Sequence, residues 1–249
     1  MWGKIVTDHE HNEDCGCGAI DRRSMFGLSA VGAMALAGLA QAADAQVLTA
    51  EMREALSPEQ IVDLILKGNG RFVAGRPQPR DWLAEQRGTA AGQHPAAIFL
   101  SCVDSRAPVE VICDIGIGQA FNARVAGNAV NDDILGSMEF ATAAAGAKVV
   151  MVMGHSACGA IKGAIDDVRL GNLTLLLARF KNAIEETKFE GDRSSKNAAF
   201  VDAVARTHVT KSLGLIRDRS PVLRDLEAQK KIAIVGSFYD LQSGRVSLL

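Results

Sequence analysis

The sequence predicts an α/β fold, a single domain with a mostly parallel central sheet flanked by helices. Three observations carry this reading. Apolar runs of strand length recur at residues 96–101, 121–125, 148–153 and 231–235. The runs at 96–101 and 148–153 are apolar almost without alternation, which fits strands buried on both faces. Helical stretches separate the runs, and strand–helix alternation is the pattern of a parallel sheet covered on both sides.

The elements follow in order. Ser57-Pro58-Glu59-Gln60 reads as an N-cap with proline at the first helical position, and Ile61, Leu64 and Ile65 then repeat at helical spacing. This helix is expected to run to about Val73 and to end near Gly75, before a Pro/Arg-rich connection at 76–80 and a short amphipathic segment at 82–87. A strand at 96–101 and a second at 121–125 follow. Residues 134–145 read as a helix that Gly146 stops, and 148–153 is the most hydrophobic strand of the chain. A helix is expected to begin around 158–160, with further helical stretches at 173–186 and 198–217. The last apolar strand is 231–235, joined by Gly236 to a short segment at 238–241. No internal repeat, low-complexity tract or second domain interrupts this order.

The chain has 249 residues, 48% of them apolar and 22% charged, with a net charge of −2. A mature region of about 200 residues suffices for one well-buried core. The near-neutral balance provides no basic stripe for nucleic acid. Residues 1–45 read as an export signal of the twin-arginine type, and 46–249 as the functional domain. Arg22 and Arg23 precede an uncharged Ala/Gly-rich stretch, and Ala43-Asp44-Ala45 offers small residues for cleavage before Gln46. Ala42 offers a cut slightly earlier. A retained membrane anchor is the alternative, but an Ala/Gly/Ser stretch is weakly hydrophobic for a bilayer span. The expected location is therefore periplasmic or secreted, with no stable membrane insertion after cleavage. Export in a folded state would let the site arrive with its thiolates protected by metal.

Chemistry concentrates in two clusters. Cys102-Val103-Asp104-Ser105-Arg106 follows the strand at 96–101, and His155-Ser156-Ala157-Cys158 follows the strand at 148–153. In an open α/β sheet, sites form outside the carboxyl ends of the strands. Cys102, His155 and Cys158 are ligands that suit Zn²⁺, and three protein ligands with a fourth position open make a catalytic rather than a structural site. His155 and Cys158 are three apart, so the first turn of a helix would bring them to one face. Gly154 is expected to turn the backbone out of the strand and Gly159 to keep bulk from the second thiolate. Asp104 and Arg106 would share one side of an extended segment and pair as carboxylate and guanidinium. Cys113 reads as plain core, and Cys15-x-Cys17 lies in the signal region. A thiol redox role is disfavoured because no Cys-x-x-Cys occurs.

With CVDSRAPVE at 102–110, ARVAGNAV at 123–130 and GHSACGAI at 154–161, the sequence resembles the β-class carbonic anhydrases. The likeness runs from about Ser57 to the C-terminus, and includes THVTKSLGLIRDRSPVL at 207–223 and IAIVGSFYDLQSGRV at 232–246. The resemblance implies reversible hydration of CO₂ to bicarbonate and a proton by zinc-bound hydroxide. Arg106 would hold Asp104 ionised, and Asp104 would orient that hydroxide. In some members the matching Asp instead swings onto zinc as a fourth ligand in a closed state. CO₂, small and apolar, calls for a narrow hydrophobic slot, with Val125, Ala126 and Gly127 as candidate lining residues. Such slots commonly form at a subunit interface, which implies a homodimer or homotetramer.

Some members also carry a noncatalytic bicarbonate pocket built from a Trp, an Arg and a Tyr. Here Phe99, Arg124 and Tyr239 stand at those positions, and Phe lacks the indole donor, so the pocket is not expected to form. Gln119 stands where the family more often has an acid. His208 is available for proton transfer, though an exposed helical position is the simpler expectation. Hydrolysis of COS or CS₂ on the same scaffold, and a non-catalytic zinc-binding protein with Asp104 as permanent ligand, remain alternatives.

Overall fold

The computed structural model describes residues 47–249. The export-signal reading, with Arg22, Arg23, Cys15 and Cys17, lies outside the described residues. Among those described, five strands form one sheet in the order β2-β1-β3-β4-β5. They are β1 (Ala97–Ser101), β2 (Ala120–Arg124), β3 (Val149–His155), β4 (Ala233–Tyr239) and β5 (Val246–Leu248). The first four pair in parallel, and β5 closes one edge antiparallel to β4. The mostly parallel sheet is as the sequence predicts.

The continuous apolar runs divide by alternation. Phe99, Met151 and Met153 point to one face, where Ile61 and Ile65 of α2 (Pro58–Val73) cover them. Ile98, Leu100, Val150 and Val152 point to the other. There they meet Met138 of α5 (Asp132–Glu139), Val209 and Ile216 of α9 (Ala198–Arg219), and Leu223 of α10 (Pro221–Ala228). Full burial of each such side chain contributes roughly 1.5–3 kcal/mol. Two covered faces are why β1 and β3 tolerate no polar residue until their last positions, Ser101 and His155.

Helix α2 starts at the expected place. Ser57 Oγ accepts from Gln60 N–H while Gln60 Oε1 accepts from Ser57 N–H, a reciprocal capping box. The expected single helix over 134–145 begins at Asp132 and passes into a π turn at Phe140–Ala144 before Gly146 (φ +80°) ends it. The stretch at 173–186 divides into α7 (Gly171–Leu177), a 3-10 turn (Ala178–Phe180) and α8 (Lys181–Glu186). The last parallel strand is not broken at Gly236: β4 runs through it. There a Cβ would stand 2.9 Å from Val209 Cγ1, and at Gly154 2.8 Å from Val209 Cγ2, so both glycines admit α9 close to the sheet.

Four elements were not anticipated. Helices α1 (Ala50–Glu54) and α4 (Val109–Ile112) are too short to show a period, and β5 is a three-residue edge strand. Helix α10 does carry a signal, Ser220-Pro221, the same cap-and-proline pair that starts α2. The remaining helices are α3 (Trp82–Thr89) and α6 (Gly159–Ile165). No helix among the described residues is long and apolar enough to cross a membrane.

Candidate metal centre

Strands β1 and β3 are parallel neighbours, so their carboxyl ends lie on the same edge of the sheet and bring Cys102 beside His155. The potential ligand atoms of Cys102, His155 and Cys158 lie within 4.8 Å of one another, and all three residues are buried. His155 Nδ1 lies 2.9 Å from the Ser156 carbonyl oxygen. A carbonyl can only accept, so Nδ1 carries the proton and Nε2 the lone pair. Nε2 is buried with no hydrogen-bond partner. An orphaned imidazole lone pair between two sulfurs fits a zinc ion, whose thiolates would stand about 3.8 Å apart at a Zn–S length of about 2.3 Å.

The turn between the second and third candidate ligands differs from expectation. His155 is the last residue of β3, Cys158 is the N-cap of α6, and the helix starts only at Gly159. The two side chains converge through Ala157, a non-glycine residue at φ +54°. Gly154 sits within the strand and serves the approach of α9. Beyond its chain neighbours, a Cβ at Gly159 would meet nothing within 4 Å. The turn is tied on each side. Ser156 N–H donates to Tyr239 O (3.0 Å), Ser156 Oγ accepts from Leu241 N–H (2.9 Å), and Ala157 N–H donates to Asp202 Oδ1 (2.8 Å).

Cys102 Sγ accepts from Gly127 N–H at 3.2 Å and from Asp104 N–H at 3.4 Å. The neighbouring Cys158 thiol, and then His155 and these two amides, outweigh burial and hold the Cys102 thiol down at about 4. Cys158, facing the Cys102 thiolate, is pushed up: the pair keeps one proton between them. Burial disfavours a charged His155 ring, but Cys102, the Ser156 carbonyl and Asp104 overcome it and raise the ring's pKa. A divalent cation would replace these protons as the positive partner of the thiolates.

Asp104 and Arg106 pair through a turn, not an extended segment, since Ala107 N–H donates back to Asp104 O (3.0 Å). Arg106 donates from Nε to Asp104 Oδ1 (2.9 Å), from Nη2 to Oδ2 (2.7 Å) and from its backbone N–H to Oδ1 (2.9 Å). The guanidinium bond, set against partial burial, holds the Asp104 carboxyl well below the usual carboxylate range. Its Oδ2 lies 3.9 Å from His155 Nε2, at the margin of the ligand cluster. From β2, Arg124 donates to the carbonyls of Cys102 (2.9 Å) and Asp104 (2.6 Å). One fork thus straps the loop that carries both the first thiolate and the carboxylate.

The other candidates divide. Gly127 is buried, with Val125 and Ala126 half-buried beside it. Gly127 is fixed at φ +65°, where a Cβ would lie 2.5 Å from Phe180 Cζ. Phe99 and Tyr239 belong to the same buried cluster, and Arg124 is engaged by the Cys102 loop. Gln119 Oε1 caps Gly116 N–H (2.8 Å). Cys113 is core, and burial pushes its thiol up to about 12. His208 is not an exposed helical residue: it is 7% exposed, packed edge-on to Phe180, and burial lowers its pKa to about 4. Burial thus favours the neutral ring. Sequence reasoning missed Asp202, one acid among several on a helix, and gave Arg124 no part in holding the Cys102 loop.

Comparison with known proteins agrees with this geometry. Residues 97–246 match the family model described as carbonic anhydrase. Over 184 residues the chain is 35% identical to carbonic anhydrase 2 of Mycobacterium tuberculosis, covering 73% of this chain and 88% of that protein. The carbonic anhydrase of Mycolicibacterium smegmatis is 32% identical over the same shares of the two chains. Among solved structures, one from a study of two tetrameric β-carbonic anhydrases of Sordaria macrospora superposes with a TM-score of 0.61 at 28% identity. It covers 66% of this chain and 84% of that one. A Coccomyxa β-carbonic anhydrase in complex with acetazolamide shares the fold, with a TM-score of 0.59 at 20% identity over 80% of this chain and 85% of that one.

Proposed function

Since the chain belongs to the β-class carbonic anhydrases, we propose that Cys102, His155 and Cys158 hold zinc and that the Asp104–Arg106 pair orients the nucleophile that adds to CO₂. The observation that carries this reading is the buried, unpartnered Nε2 of His155 between two cysteines, beside an arginine-clamped carboxylate. Zinc held there supplies Lewis acidity, which lowers the pKa of a water and makes a nucleophile available near neutral pH.

The chain's own residues do the rest. Arg106 and its backbone amide occupy one lone pair of Oδ2 and both of Oδ1. Asp104 therefore stays charged and keeps one free lone pair on Oδ2, toward His155. That lone pair accepts the O–H of the attacking solvent molecule, and the attacking oxygen turns its own lone pair to the substrate carbon. Because its pKa is depressed, Asp104 orients without taking the proton. Gly127 and Asp104 N–H groups hold Cys102 as a thiolate ligand. Val125, Ala126 and Gly127 offer an apolar wall to CO₂.

Residues 1–45 direct export by the twin-arginine route in this reading, which places the mature enzyme in the periplasm or outside the cell. The chain works as a homodimer or homotetramer, a state supported by the outer edge of β2, unpaired among the described residues, and by Phe140, 59% exposed beside it. Metal analysis and stopped-flow CO₂ hydration on the mature protein test the central claim. One zinc per chain and rapid hydration are expected. A protein without stoichiometric metal, or one turning over CS₂ but not CO₂, would refute it.

A further inference from the structure

We infer that Asp202 is a positioning residue for the metal centre, acting through the backbone of Ala157. This rests on the proposed metal site and deepens it. Ala157 lies between the ligands His155 and Cys158 at φ +54°, a conformation that alanine adopts only under compulsion. Around it the turn is pinned by Ser156, through Tyr239 O on one side and Leu241 N–H on the other. The Ala157 amide points away from these, and its partner is the carboxylate of Asp202 at 2.8 Å.

Asp202 stands in the first third of α9, the 22-residue helix packed on β3 and β4 through Val209 and the two facing glycines. The carboxylate is therefore carried on a rigid element anchored to the strand that delivers His155. A charged acceptor on a backbone N–H is among the stronger hydrogen bonds. This one fixes the left-handed step, and the step sets the distance between the His155 ring and the Cys158 sulfur. Without it Ala157 relaxes toward ordinary backbone and the second thiolate swings out of register.

The test follows zinc release to an excess chelator from purified holoenzyme, with the absorption of the cobalt-substituted protein as a second readout. Asp202→Ala should release zinc about 10–100-fold faster, the usual cost of losing a residue that orients a ligand. It should also alter the sulfur–cobalt bands. Asp202→Asn keeps an oxygen in place and should stay near the wild-type rate. The double variant Asp202→Ala with Ala157→Gly should recover most of the loss, because glycine takes positive φ without strain. General damage to α9 would not be repaired at position 157. Wild-type release from Asp202→Ala, Asp202→Asn as fast as the alanine variant, or no recovery with glycine would each overturn the assignment. Wild-type protein that retains no zinc would sink the metal reading itself, and Asp202's role with it.

Discussion

Asp104→Asn separates orientation from ligation. The native carboxylate receives three N–H donors from Arg106, at 2.9, 2.9 and 2.7 Å, which leaves one acceptor site facing His155. An asparagine has one carbonyl oxygen to set against these donors, and its NH₂ must either face the guanidinium donor-to-donor or take over the free position. In both arrangements the site loses a charged acceptor aimed at the nucleophile. Loss of a single preorganised electrostatic contact costs about 10²–10³ in kcat, or roughly 2.7–4 kcal/mol. Zinc content should stay at the wild-type level, since the three ligands are untouched. Stopped-flow CO₂ hydration with an indicator dye, alongside metal analysis, reads both quantities. Hydration within threefold of wild type would refute the orienting role. Loss of zinc together with activity would make Asp104 a ligand instead.

Further expectations follow from other parts of the molecule. Replacing Cys102, His155 or Cys158 by alanine should abolish stoichiometric zinc, as read by atomic absorption, and retention of metal by any of the three would break the cluster assignment. Two thiolates neutralise the charge of zinc, so the pH–rate profile should rise on the alkaline side of neutrality, and a midpoint well below pH 7 would contradict this. His208, lowered by burial to about 4 against about 6.5 when unfolded, takes up its proton in the unfolded chain first as pH falls. Stability should therefore decline from pH 6.5 toward 4, by up to about 1.4 kcal/mol per pH unit, in urea titrations. The His208→Gln variant should lack that slope and keep the buffer dependence of turnover. Gly127→Ala combines a left-handed backbone with a contact of 2.5 Å to Phe180, and should destabilise by about 2–4 kcal/mol in the same titrations.

Much of the fold was legible because a parallel strand buried on both faces writes itself as an unbroken apolar run. Residues 96–101 and 148–153 did so, and the two clusters that end them bring Cys102, His155 and Cys158 together. The cap-and-proline pair Ser57-Pro58 marked its helix for an equally local reason. The turn at Ala157 was not legible, because alanine gives no hint of positive φ, and the three-residue spacing of His155 and Cys158 suggested a helical turn. Asp202 was invisible for the opposite reason: an acid on a helix is ordinary until a distant amide is brought to it. Arg124 stood in a recognisable position, but its guanidinium serves backbone carbonyls, which leave no trace in sequence. His208 was misread as exposed because the polar residues Thr207, Thr210 and Lys211 surround it in sequence while its own side of α9 faces inward.

Gly154 and Gly236 give the centre an unexpected vulnerability. Gly154 directly precedes His155 and Gly236 lies on the neighbouring strand; the hollow they leave is filled by Val209, and a single methyl group at either would wedge α9 off the sheet. Asp202 would retreat with the helix, so an innocuous-looking alanine on the α9 side of the sheet should cost metal retention and thermal tolerance together. Sequence drift in this protein should accordingly be freer around the rim of the cleft than on the concealed underside of β3 and β4.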